Sequence, residues 1–277
     1  MNWQAIWAIV GKDWKVIRQS RMVILPIVVV PLVILVVLPG ILGLVLAHTE
    51  PGSPEMTKLT ADMQTFFDNL PPRIRAVLDE FPSEIQQTAV LFFQYIFAPL
   101  YLILPIMVAS VIAADSFVGE KERKTLEALI YTPTSDRELY VAKMLTPWLL
   151  SVAVSILGAV VYAVVVNVAL WPIMGRVFFP NLAWILLAVW VSPAAAGLGL
   201  GAIVLVSSRV STFMEAQQAG GFMVLPVIVL VLSQLAGILY FGVELVIGLG
   251  AILWVIDAVI LWYGARHFQR GELMARL

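Results

Sequence analysis

The chain has no cysteine, only two histidines and little charge: Lys, Arg, Asp and Glu together make up 13% of its 277 residues. Without cysteine there can be no disulfide, no thiolate metal site and no cysteine nucleophile. Soluble domains carry about 25% charged residues, so the shortage of charge already points away from water. The net charge of −1 argues against a nucleic-acid partner. Apolar residues fill the gap, at 61% of the chain with a mean hydropathy of +0.96.

The apolar residues come in charge-free runs of membrane-spanning length, at roughly Met22–Ala47, Thr88–Ala114, Met144–Leu170, Leu182–Val206, Ala216–Leu239 and Leu245–Gly264. Each offers about the 20 residues a helix needs to cross about 30 Å of hydrocarbon. The expected fold is an all-α membrane protein, one transmembrane domain over 1–277 with six transmembrane helices. The first run starts only at Met22 and is too long for the core of a signal peptide, so no cleavable leader is expected.

Lys and Arg set the expected orientation. Thirteen of them fall in the segments before the first run, between the second and third, between the fourth and fifth, and after the sixth; four (Lys58, Arg73, Arg75 and Arg176) fall on the other side. The richer side is read as cytosolic, with both termini inside and the chain in the cell membrane. At the N-terminus (1–21), Trp3, Ile6, Trp7, Val10, Trp14 and Ile17 recur at helical spacing, with Lys12, Lys15 and Arg18 off that face. That pattern predicts an amphipathic helix lying in the interface, Trp rings at headgroup level.

Residues 48–87 form the expected extracytoplasmic loop, divided by Pro51, Pro54, Pro71, Pro72 and Pro82. Ser53-Pro54-Glu55 reads as a helix start, and Met56, Leu59, Met63, Phe66, Phe67 and Leu70 as its apolar stripe, giving a small helical cap. Ser83 with Gln86 reads as a capping box opening the second span. Prolines punctuate the spans themselves, where they kink helices. Gly197, Gly199 and Gly201 follow no strand and precede no Lys-Ser/Thr, so Gly197 and Gly201 read as a helix-packing face rather than a nucleotide loop.

One segment breaks the apolar pattern. Asp115 to Lys143 holds eleven charged residues in 29 positions, acids and bases interleaved. A loop obeying the positive-inside rule needs only the bases. The stretch GEKERKTLEALIYTPTSDRELYVAKML resembles the signature of type-2 ABC transporter permeases: Glu120, Lys121 and Glu122, then Thr125, Leu126 and Glu127, a turn at Pro133 and Ser135, and Lys143 opening the next helix. The segment SSRVSTFMEAQQAG is similar to that family's second cytosolic turn. The resemblance implies a cytosolic coupling loop (115–143) whose coupling helix docks on a nucleotide-binding subunit through Glu120, Lys121, Glu122, Arg123, Thr125, Leu126, Glu127 and Leu129. It implies an exporter subunit rather than an enzyme, working with a second permease copy, or a similar permease, among membrane lipids.

GxxxxGK[ST] is absent, so the chain carries no phosphate loop and no cofactor is expected on it; ATP would sit on the partner. The competing reading is an integral membrane enzyme, proteolytic or lipid-modifying. HExxH and GxSxG are both missing, His48 and His267 lie near span ends on opposite sides, and no catalytic or metal-binding residue is assigned. Asp257, the one carboxylate inside a run, is the intramembrane polar candidate. Polar groups in the spans are few, which favours an amphipathic or lipid-like substrate over a sugar or an ion.

Overall fold

Six long helices, each apolar enough to cross a bilayer, follow a shorter N-terminal helix in a computed structural model that describes residues 2–49, 70–123, 135–207, 209–236 and 238–267. The N-terminal helix is Trp3–Gln19. The spans are Arg21–His48, Glu84–Glu122, Asp136–Ala169, Leu182–Val206, Phe213–Leu235 and Val243–His267. All described secondary structure is helical. The predicted stripe from Met56 to Phe67, its start at Ser53, and Thr125, Leu126, Glu127 and Leu129 lie outside the described residues.

The second span is the centre of the bundle. It is the most buried of the six, with the fourth next, while the other spans turn most of their surface outward. The second and fourth spans lie close because of one glycine. A Cβ on Gly199 would come within 2.5 Å of the Ile106 carbonyl oxygen, and Ser110 Oγ donates to the Gly199 carbonyl at 3.2 Å. Gly197 and Gly201, on the opposite side of that helix, face Asp257 and Ile260 of the sixth span. The small-residue face therefore packs helices within one subunit.

Three of the span prolines leave the same mark. Three π-type turns, Val33–Val37, Leu91–Ile96 and Leu187–Val191, each contain the residue four before a proline: Leu35 before Pro39, Tyr95 before Pro99, Val189 before Pro193. A proline has no N–H for that carbonyl, so the helix widens there instead of ending. Donors from other spans then enter the ladder. Tyr162 Oη donates to the Phe93 carbonyl at 2.9 Å and Trp184 Nε1 to the Gln94 carbonyl at 2.7 Å. The two rings stack at 4.7 Å and fix the halves of the second, third and fourth spans that lie away from the N-terminal helix.

Several polar side chains of the spans serve this packing. Tyr101 Oη donates to the Ser155 carbonyl and Ser151 Oγ to the Pro105 carbonyl. Asn167 donates to the Ala163 and Phe179 carbonyls and accepts from the Phe178 N–H, tying down the turn before the fourth span. Between the first and second spans, the described end of the long loop folds as the helix Pro72–Leu78, with Leu70, Ile74, Leu78 and Phe81 buried against the bundle. Ser83 Oγ caps the second span by accepting from the Gln86 N–H. The capping box is only half formed, because the Gln86 side chain donates to the Ile173 carbonyl instead.

Candidate functional site

The N-terminal helix places its residues differently from the sequence expectation. Ile6, Ile9, Asp13 and Ile17 form the buried stripe, while Trp3, Trp7 and Trp14 project outward beside it. The apolar residues thus split into two adjoining stripes, one toward protein and one away. The 3-4-4 spacing of the inner stripe puts an acid, Asp13, against the protein, with Lys12 next to it.

Those two residues meet the start of the charged segment. The second span does not stop where its apolar run ends; it continues through Asp115–Gly119, a fourth π-type turn, to Glu122. No proline explains this turn. It carries Glu120 inward, 5% exposed, between two amines: Lys143 Nζ at 2.6 Å from Oε2 and Lys12 Nζ at 2.8 Å from Oε1. Lys143 is 1% exposed and also donates to the Ser116 carbonyl at 2.7 Å. Lys12 lies 3.0 Å from Asp13 Oδ1, out of line for a hydrogen bond. Arg123 pairs with Asp115 at 3.0 Å across Gly119, where a Cβ would crowd both.

The electrostatics follow from burial. Desolvation pushes the Asp13 carboxyl up, and the nearby Lys143 and Lys12 only partly offset it. Desolvation also pulls the Lys12 amine down, but Glu120 and Asp13 outweigh it and leave the amine raised. Two acids and two bases share the cluster, so it is neutral as a whole. That neutrality is what lets charges lie so deep.

Further ties radiate from it. Glu122 accepts from the Phe213 N–H at 2.8 Å, joining the second span to the fifth, whose start is closed by a Thr212–Glu215 capping box. Glu138 completes a capping box with Ser135 at the head of the third span and accepts from the Asn2 N–H. The N-terminal helix and the second, third and fifth spans are therefore held together around one short segment. Glu120 is an interior member of this cluster, whereas Lys121 is half-buried and Glu122 and Arg123 are exposed at the edge of residues 124–134. Sequence reasoning missed Lys12, Asp13, Asp115 and Ser116; the acid on the apolar stripe was the signal for Asp13.

Asp257 lies apart from this. It is buried against Gly197, with no donor to Oδ1 and no ion pair among the described residues. Among those residues, no three His, Cys, Asp or Glu are grouped to hold a metal. Comparison with protein families gives a match to the model of the ABC-2 family transporter proteins over residues 7–253. Neither curated proteins nor solved structures give a match.

Proposed function

The chain belongs to the ABC-2 family of transporter proteins, and on that premise we propose that it is the permease subunit of an exporter for an amphipathic or lipid-like substrate, driven by a separate ATP-binding subunit. As a multi-pass membrane protein of that family it is a transport subunit and not itself an enzyme. The segment Glu120–Leu129 is the docking element, and the N-terminal helix rides in the cytosolic interface.

The observation that carries this reading is Glu120 clamped between Lys12 and Lys143. A docking element must pass displacement to the spans. Here its first residue is fixed to the N-terminal helix and the third span, and its third, Glu122, to the fifth. A push on the segment therefore moves four helices together. Glu120 acts as a positioning residue, while Lys121, Arg123 and Glu127 meet the partner. Tyr101, Ser151 and Tyr162 spend their hydroxyls on helix packing, which supports a weakly polar cargo.

Co-expression with the ATP-binding subunit and purification in mild detergent tests the assignment. Lys121→Glu with Glu127→Arg should abolish co-purification and permease-stimulated ATPase activity while leaving the unfolding midpoint unchanged. An intact complex with normal ATPase stimulation would refute it.

A further inference from the structure

The third and fourth spans pack through their inner halves, where Trp148 Nε1 donates to the Pro193 carbonyl at 2.9 Å. In the half away from the chain termini a groove of about 950 Å³ opens between them. Its cause is local. Ala159, Ala163 and Ala188 face one another as small side chains, and the π-type turn Leu187–Val191 widens the fourth span beside them. Ile156, Val164 and Ile185 form the rims.

We propose that this groove holds one acyl chain of a resident anionic phospholipid in that leaflet, with its headgroup beside Arg176. Three observations lead there. The groove runs along the third span from Ile156 to Val168, about 18 Å at 1.5 Å per residue, close to the roughly 15 Å of one leaflet's hydrocarbon. Its lining side chains are apolar apart from Asn167, as an acyl chain requires. Its far end is built as an interface. Trp171 lines it there and is exposed, and after the left-handed turn at Gly175 the chain presents Arg176 next to the lining residue Val177. The Arg176 guanidinium rests 4.9 Å from the Phe81 ring centroid and has no ion pair among the described residues. A cation with no acid paired to it among the described residues, one residue before the lining Val177 at the end of an apolar slot one leaflet deep, is complementary to a phosphate headgroup with its chain in the slot.

The site does not depend on the transport reading. Because the chain has no native cysteine, a fluorophore can be placed at Val160→Cys in the groove and, as a reference for bulk lipid, at Val255→Cys on the exposed face of the sixth span. The full chain is reconstituted in phosphatidylcholine vesicles containing increasing brominated phosphatidylglycerol, and quenching is read at each position. Half-maximal quenching at Val160 should require about tenfold less phosphatidylglycerol than at Val255. Arg176→Gln should bring the two curves together. Coincident curves in the unaltered chain would make the groove ordinary lipid-facing surface and overturn the proposal. Absence of quenching at Val160 would mean another occupant, such as a second copy, and would overturn it equally. A preference that survives Arg176→Gln would refute the headgroup assignment.

Discussion

Glu120 and Lys143 are where single side chains matter most. Glu120→Gln takes from buried Lys143 the acid it is hydrogen-bonded to and leaves only the more distant Asp13, and breaking such a pair costs about 3–5 kcal/mol. Adding Lys143→Met should recover much of that loss, because it removes the uncompensated buried amine. Unfolding midpoints of the two single variants and the double variant in detergent decide it; additive losses would show that the pair is not the unit. Asp13 gives a pH signature. Its folded-state carboxyl sits above its ordinary value of 3.8, so it detracts least from stability below that value and progressively more as pH rises through its folded-state range. Asp13→Asn should therefore match the unaltered protein near pH 4 and exceed it in midpoint toward neutrality. A difference that stays flat with pH would mean burial does not govern this carboxyl.

At the scale of helices, glycine context separates two outcomes. Gly199→Ala drives a methyl into the Ile106 carbonyl and should cost about 1–3 kcal/mol. Gly11→Ala, in the N-terminal helix with nothing within 4 Å, should gain about 0.5–1 kcal/mol. Thermal unfolding of the two side by side would expose an error in either. The spans were legible because lipid permits only long apolar helices there, and the fourth was read to the residue, Leu182–Val206. The second was read as ending at Ala114, although its helix continues to Glu122. Hydropathy stops at the first charge, whereas a charge with a buried partner can remain in a packed helix; that partner, Lys143, lies 23 residues on. The split of the N-terminal helix into two stripes was hidden for a related reason. Trp and Ile count alike as apolar, yet only contact with the third span decides which faces inward.

For the whole molecule, orientation and pairing are open to direct measurement. With thirteen of the seventeen Lys and Arg on one side, an impermeant maleimide on intact cells should label Ser53→Cys and spare Ser135→Cys; the reverse would overturn the topology and the docking model with it. The first span turns an apolar face away from its own bundle, with Val29 44% and Val33 41% exposed. Gly197 and Gly201 are used up inside the subunit. Val29→Cys or Val33→Cys should thus cross-link between copies, and Gly197→Cys should not. The opposite result would move the subunit contact to the fourth span.

The π-type turn Asp115–Gly119 has a consequence for how this chain can change in length. Such a turn closes its ring one residue later than an α-helix does, so it amounts to a single inserted residue. Closing it to a regular helix without shortening it would rotate everything beyond by about 100°, swinging Glu120 away from both amines. The aim of that carboxylate therefore depends on the extra residue staying absorbed in the turn. A one-residue deletion within the turn should be tolerated far better than one in the regular helix on either side.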